Sequence, residues 1–483
     1  MNANLFATTL LIALGLPGRP ASGALREENF DQEPANWEGV NNRSTHFEPR
    51  TVSQDFGYSP TSTHAGGAPG EIGGRIYPAG EPAYYGSPLP RPLTFDSPMS
   101  AEGSIFVAPG PGHFLLGFFS TNSLNEWRTP NTLVARINSR GAHSHFHLEY
   151  GTSRWRAGAG VIGEIVPGER ILAKEIPNGH VHHWKLAYDP SRADGNGLLT
   201  FSLNDLVASI EIPPDHRAEG VTVSHFGLLS LIKTWDSPGE VWLDNIKINE
   251  SRWNFSNDPK WDEFQNRRTY VTNDTRPKFN FGWSPTHHAN GKRAGEMGGL
   301  IFRGDCREPA RLASYGDRIA TFSLDGALEA RGKLSMRRGV TDSTAAIGFF
   351  NSVHSTQSNP SQKHSIPMDF LGINIEGPSS EGFFFYPVYR THGDETGVPR
   401  VTQAPRIFPD GRSLDWFLKY DPAGAGGQGS ISVGLDSETI TLALSPGHKA
   451  IGATFDRFGI CTPWIDGNSV TVYFDDLKYT AAP

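Results

Sequence analysis

Along most of the chain apolar residues alternate with polar ones, as in Leu198-Leu199-Thr200-Phe201-Ser202-Leu203 and Ile431-Ser432-Val433-Gly434-Leu435, and clusters of Gly, Pro, Asn and Asp divide such runs. Period-two alternation marks a strand with one buried face, because successive side chains project to opposite sides. Apolar stripes at helical spacing are scarce. The pattern predicts an all-β protein, and many short strands punctuated by turn residues fit a two-sheet jelly-roll sandwich.

The pattern occurs twice. Phe30-Asp31-Gln32-Glu33-Pro34, Trp37 and Asn42-Arg43 return as Phe255-Ser256-Asn257-Asp258-Pro259, Trp261 and Asn266-Arg267. Phe56-Gly57-Tyr58-Ser59-Pro60-Thr61, His64-Ala65 and Gly70-Glu71-Ile72-Gly73-Gly74 return as Phe281-Gly282-Trp283-Ser284-Pro285-Thr286, His288-Ala289 and Gly295-Glu296-Met297-Gly298-Gly299. The match runs on through Gly117-Phe118-Phe119 and Gly348-Phe349-Phe350 to Phe226-Gly227 and Phe458-Gly459. Such self-similarity implies an internal duplication, giving two tandem jelly-roll domains at 25–250 and 251–483. The offset between copies widens around Arg303 to Tyr315, which predicts a surface insertion there that contains Cys306.

Before the first copy, Leu5 to Leu16 form a short apolar run followed by Pro17-Gly18 and small residues at Ala21 to Ala24. This reads as a signal peptide over 1–24, hence a secreted protein, extracellular or periplasmic, although no Lys or Arg precedes the run. No later segment approaches the roughly 20 apolar residues of a membrane span, so no membrane insertion is expected. The 54 Gly and 36 Pro strengthen the turn-rich β reading, and a net charge of -8 gives no reason to expect a nucleic-acid partner. Two cysteines, Cys306 and Cys461, are too few for a disulfide scaffold; they are read as either a single pair or two buried thiols. Oligomeric state is left open.

Each copy also carries a Trp, a Tyr-Asp-Pro, a Gly-rich turn and a closing acidic strand: Trp184, Tyr188-Asp189-Pro190 and Trp242-Leu243-Asp244-Asn245-Ile246, then Trp416, Tyr420-Asp421-Pro422 and Tyr473-Phe474-Asp475-Asp476-Leu477. This arrangement resembles the concanavalin A-like lectin and glucanase superfamily, with its secreted polysaccharide-degrading enzymes. The resemblance covers each copy and implies the sandwich; function must come from a site.

The clearest difference between the copies is His143-Ser144-His145-Phe146-His147-Leu148-Glu149-Tyr150. On a strand, His143, His145, His147 and Glu149 share one face. A hairpin partner, Leu133 to Asn138, would set Arg136 and Asn138 beside them. The second copy has apolar and aromatic Gly382 to Arg390 instead. Jelly-roll polysaccharide lyases resemble this set in chemical type. β-Elimination from a uronate needs a cation or amide on the carboxylate, a base for the C5 proton and an acid for the leaving oxygen. Arg136 and Asn138 are the expected neutralisers, His145 or His147 the base and Tyr150 a candidate acid, though alternation places Tyr150 on the opposite face. A polar solvent-facing strand is the plain alternative, and alternating histidines could also chelate zinc.

A glycoside hydrolase needs two opposed carboxyl groups. Glucanases of the resembled superfamily carry them on one strand, whereas Gly70 to Gly74 and Gly295 to Gly299 hold a single acid each. Glu149 with Glu71 or Glu376 is the remaining pairing. The repeated Tyr58/Trp283 and His64/His288 loop is read as a packed plug over the sheet, with an aromatic platform for a sugar face as the alternative that makes these residues candidate sugar contacts; Glu376, Tyr386, Tyr389 and Arg390 are further candidates contributed by the second copy. Asp244 and Asp475, joined by Glu33 and Asp258, are read as candidate structural calcium ligands, with no cofactor required for catalysis. The partner expected is a polysaccharide or oligosaccharide. The leading function is a uronate-directed lyase; a glycoside hydrolase and a non-catalytic glycan-binding protein are the alternatives.

Overall fold

The structure is a computed structural model that describes residues 23–45, 49–124, 130–165, 171–233, 237–272, 275–340, 342–359 and 365–482. The signal-peptide reading lies, but for its last two residues, outside these. The protein is all-β, with antiparallel strands arranged in four large sheets. Sheet A runs Asp55–Ser59, Glu71–Ile76, Gly239–Ile248, Met99–Val107, Val181–Asp189, Leu198–Leu203, Leu206–Glu211. Sheet A′ has the same order, from Asn280–Ser284 through Glu296–Phe302, Ser469–Ala482, Leu328–Gly339, Ser413–Asp421 and Ser430–Leu435 to Glu438–Ala443. Sheet B runs Ala157–Val161, His143–Gly151, Thr132–Gly141, Gly110–Phe119, Thr222–Ser230, Tyr84–Thr94 and Asp262–Phe264; its counterpart B′ contains Gly382–Arg390, Phe370–Ser379, Ser343–Phe350, Thr454–Cys461, Ser314–Ser323 and Trp37–Val40.

A packs on B and A′ on B′, each pair enclosing one large core. Between A and B these include Ile105, Leu116, Phe146, Leu148, Trp184, Phe201 and Phe226; between A′ and B′, Leu334, Phe349, Ile373, Phe385, Trp416 and Phe474. The alternating residues that predicted strands are those that fill these cores, which is the expected result of burying one face of each sheet.

The sheets do not divide at 250/251. Ala24–Glu28 pairs with the closing strand Ser469–Ala482, and Trp37–Val40 pairs with Ser314–Ser323, so the first residues complete the C-terminal sandwich. Ser251–Trp253 and Asp262–Phe264 complete the N-terminal one in the same manner. Phe30 and Trp37 are buried in the C-terminal core; their counterparts Phe255 and Trp261 are buried in the N-terminal core. This explains why the motifs recur together. Asn266 Nδ2 donates to Phe56 O and Arg267 to Tyr58 O; Asn42 and Arg43 do the same for Phe281 O and Trp283 O. Gly70 and Gly295, at φ of +108° and +113°, sit where a Cβ would strike the Phe255 or Phe30 carbonyl at 2.1 and 1.9 Å. Chain continuity and a small sheet between Arg50–Ser53 and Thr269–Thr272 fasten the two sandwiches together.

The Ser380-Glu381 turn of the C-terminal sandwich also docks on the edge of sheet B. Ala157 N donates to Ser380 O at 2.8 Å, and Glu381 accepts from His216 Nε2 at 3.1 Å and pairs with Arg156 at 3.3 Å. Cys306 and Cys461 are both buried and are not joined in a disulfide. Among the described residues no helix is long and apolar enough to cross a membrane.

Candidate functional site

Cross-strand register builds the outer face of sheet B. His145 lies opposite Asn138 and His147 opposite Arg136, while on the far side of the same strand Asn138 faces His113 and Arg136 faces Leu115. Phe146 and Leu148 point into the core. The predicted hairpin and face are therefore present, with His113 added from a third strand. The part of this face nearest Tyr84 is closed by Leu115, Phe119, Leu124, Val134, Leu229 and Leu231. The polar part stays partly exposed and borders a cleft of about 290 Å³ lined by His113, Asn138, Ser139, Arg140 and Lys233.

Arg136 Nε donates to Glu149 Oε1 at 2.7 Å, and Arg136 Nη1 lies 3.1 Å from His113 Nε2. The guanidinium thus has a fixed orientation and a countercharge. Burial, reinforced by the Arg136 cation, holds the His147 imidazole down to about 4. His147 is therefore neutral at physiological pH, with one ring nitrogen unprotonated, and is a weaker base than a free imidazole. His143 is at the exposed strand end, 3.8 Å from Glu175.

Tyr150 stands apart. It is 2% exposed within the core and its hydroxyl is 2.8 Å from His216 Nδ1. Burial raises its pKa. Tyr150 thus lies on the side opposite His147, as the alternation had indicated.

The second-copy candidates do not form an open cleft. By register, Asn374 occupies the place of Arg136, Glu376 that of Asn138, Phe384 that of His145 and Tyr386 that of His147. Glu376 pairs with Arg303 at 2.6 Å and accepts from the Tyr386 hydroxyl. Tyr386 is buried in one cluster with Phe370 and Val388 of its own face and with Ile366 and Ala404 from outside the strands. Tyr389 is buried with its hydroxyl 2.8 Å from His448 Nδ1. Arg390, fully buried, stacks 4.5 Å from the Trp464 ring and donates to Ile366 O and Asp394. These groups hold sheet B′ and its loops together. Glu149, Glu71 and Glu376 accordingly lie in three separate environments, and no opposed carboxyl pair is formed among them.

The repeated loop is a plug on sheets A and A′. Glu71 accepts from the backbone N–H groups of Ala65 and Gly66 at 2.5 and 2.9 Å; Glu296 accepts from those of His288 and Ala289 at 2.8 and 2.7 Å. His64 stacks on Phe106 and Trp242 with centroids 5.3 and 5.0 Å away, and His288 lies 4.6 Å from Tyr473. Tyr58 packs against the N-terminal core. Trp283 donates to Phe30 O at 3.0 Å and, with Glu33, Arg43 and Tyr473, lines a cavity of about 400 Å³.

Of the calcium candidates, Asp244 is buried, lies against Gly66 and is raised by burial and by Glu71. Asp475 lies against Gly291 and is pushed up to about 7 by burial, with Asp476 and Glu296 adding to it. Each aspartate thus neighbours the buried glutamate of its own copy, and Glu71 Oε2 has no hydrogen-bond partner. Each copy thus buries two neighbouring carboxyl groups, oxygen donors of the type a hard cation takes. Asp258 is instead engaged by Lys260 at 2.7 Å, and Glu33 belongs to the Trp283 cavity.

No known family matches the chain by sequence, and no curated protein does. Among solved structures, the carbohydrate recognition domain of Emp47p aligns at 9% identity over 42% of this chain and 89% of its own, with a TM-score of 0.26. A mutant of alginate lyase Aly36B in complex with alginate tetrasaccharide aligns at 10% identity over 38% and 80%, with a TM-score of 0.25. The LG1-3 region of the laminin alpha2 chain aligns at 11% identity over 84% and 61%, with a TM-score of 0.19. At scores this low the likenesses carry no argument, and the functional reading rests on the residues.

Proposed function

We propose that the protein is an exported carbohydrate-active protein whose sheet B face binds a uronate-containing glycan and cleaves it by β-elimination. The supporting observation is the meeting, on one partly exposed face, of a neutral imidazole, His147, with Arg136 and Asn138, beside a cleft lined by His113, Arg140 and Lys233. Cationic and amide groups there suit the sugar carboxylate and the negative charge that grows on it as C5 loses its proton. His147 accepts that proton. The C5–H electron pair becomes the C4–C5 double bond, the C4–O4 bond breaks, and O4 leaves with a proton given by the neighbouring His145 ring.

Two features favour a non-catalytic glycan binder as the second reading: Arg136 is already paired with Glu149, and Tyr150 is sealed in the core. Incubation with a panel of uronate-containing and neutral polysaccharides separates the readings. The lyase gives new ultraviolet absorbance from unsaturated uronates, lost in His147→Gln. A hydrolase gives new reducing ends without that absorbance, and a binder retains the polymer with no product; either result overturns elimination.

The same reading gives each sandwich a structural calcium ion, held by Asp244 with Glu71 and by Asp475 with Glu296. Its contribution is to neutralise buried carboxylates. Calcium should raise the melting temperature, a chelator should lower it, and Asp475→Asn should reduce the response.

A further inference from the structure

Away from sheet B, the loops at one end of sheet B′ bring together two imidazoles and a carboxylate that no sequence motif connects. Asp369 directly precedes Phe370–Ser379, His354 lies in the turn after Ser343–Phe350, and His392 follows Gly382–Arg390. Nδ1 of His354 is 2.6 Å and Nδ1 of His392 3.0 Å from the same oxygen, Asp369 Oδ2. The three ligand atoms lie within 4.8 Å of one another, and the ring centroids are 4.7 Å apart.

The backbone fixes this arrangement. Asp369 N donates to Thr391 O at 3.3 Å, His354 N to Asn351 Oδ1 at 3.0 Å and His392 N to Gly452 O at 2.8 Å. Asp369 is fully buried, whereas the His354 and His392 side chains are 32% and 58% exposed, so the cluster opens to solvent on its imidazole side. Two Nδ1–H donors would account for Oδ2. They leave Oδ1, which is buried without a hydrogen-bond partner. A buried carboxylate oxygen in that condition is costly unless a cation meets it.

The N-terminal sandwich supplies an internal control. At the matching position, just before Thr132–Gly141, stands Asn131, with φ of +60° against +52° for Asp369. Asn131 N donates to Thr152 O at 3.1 Å, and its side-chain oxygen accepts from Thr222 N at 2.8 Å. The left-handed backbone is therefore satisfied by asparagine, and the acid with its two histidines is an addition peculiar to the second copy.

We propose that His354, Asp369 and His392 bind a divalent transition-metal ion of the zinc class. Two imidazole nitrogens and one carboxylate oxygen form a borderline donor set that suits zinc and its neighbours, whereas calcium takes oxygen ligands. A tetrahedral ion with bonds of about 2.0–2.1 Å sets its ligand atoms about 3.3 Å apart, which small rotations of the two partly exposed rings provide. Three protein ligands leave a fourth position, on the exposed side, for water or a small anionic ligand. Binding through Nδ1 requires the tautomer of each ring that carries its proton on Nε2.

The test uses the full chain, stripped with a chelator, dialysed, and titrated with zinc by calorimetry and with cobalt by visible absorption. One equivalent should bind, with the cobalt bands of a tetrahedral nitrogen-oxygen site. Asp369→Asn, which installs the residue present at the matching position of the first copy, and His392→Ala, at an exposed ring, should each weaken binding at least about a hundredfold. His182→Ala, on a distant strand, should bind as the wild type does. Absence of saturable binding by the wild type, or unchanged affinity in both site variants, would overturn the assignment. Because the site is remote from sheet B, either result leaves the elimination reading to its own assay.

Discussion

At matched register the outer face of sheet B carries Arg136, Asn138, His145 and His147 where sheet B′ carries Asn374, Glu376, Phe384 and Tyr386. The inward-facing positions of the two sheets are apolar alike, with Ile137, Phe146 and Leu148 answered by Ile375, Phe385 and Pro387. Divergence is concentrated on the side that the sandwich does not need. In B′ Asn374 and Tyr386 on that side are buried, Tyr386 among Phe370, Val388, Ile366 and Ala404, while Glu376, paired with Arg303 and accepting from Tyr386, stays partly exposed. In B the equivalent strip stays partly open, and its charged pair, Arg136 and Glu149, borders histidines and a cleft. One scaffold thus supports an outer face built around a buried tyrosine or one built around partly exposed histidines.

The widest separation between the faces should come from the histidine. His147→Gln is expected to lower turnover of a uronate polymer by about 10²–10⁴, the usual worth of a positioned base. Tyr386→Phe, at the same register in the other sandwich, should leave the rate unchanged and lower only the melting temperature. Equal losses in the two variants would mean that the faces work as one. Arg136→Ala comes next, at about 10²–10³ in kcat, since it removes a group aimed at developing charge. Initial rates at saturating polymer check both.

How far the site could be read from the chain follows from the kind of contact involved. Alternation in His143 to Tyr150 set the facing of every residue in that strand, including the burial of Tyr150, because strand geometry is local. His113 escaped notice because its place beside Asn138 depends on a third strand. The repeats in Phe30 to Arg43 and Phe255 to Arg267 were plain as patterns, yet order along the chain does not say which sandwich a segment completes; only the long-range pairing of Ala24–Glu28 with Ser469–Ala482 does. Tyr386, Tyr389 and Arg390 looked like surface chemistry because the segments that bury them lie elsewhere in sequence, and Glu376, partly exposed, is taken up by Arg303 from another loop. His354, Asp369 and His392 meet through three loops, and no spacing announces them.

Acid should distinguish the two faces by a smaller margin. His147 ionises at about 4 in the folded chain against an ordinary 6.5. Between those values the unfolded chain holds the proton and the folded chain does not, so stability is complete above about 6.5 and falls as pH drops towards 4. The full difference is about 3 kcal/mol. Tyr386, raised by burial and by Glu376, has no titration in that window. Urea midpoints between pH 7 and 4 should fall more steeply for the wild type than for His147→Gln; parallel curves would mean that the ring is freely solvated.

The smallest effect tests the boundary of the site. Tyr150 is on the histidine strand, but its hydroxyl meets His216 Nδ1 at 2.8 Å, and His216 Nε2 meets Glu381 of the C-terminal sandwich at 3.1 Å. The phenol therefore belongs to a buried relay joining the two sandwiches. Tyr150→Phe removes one hydrogen bond and leaves a ring nitrogen without that partner, a cost of about 1–2 kcal/mol. Turnover at a temperature well below melting should change by less than about threefold, because no atom of the phenol reaches the His147 side of the sheet. A rate loss approaching that of His147→Gln, with stability preserved, would place Tyr150 among the reacting groups and require the strand to present both faces to substrate. That is incompatible with Phe146 and Leu148, which flank the same inward side and are fully buried.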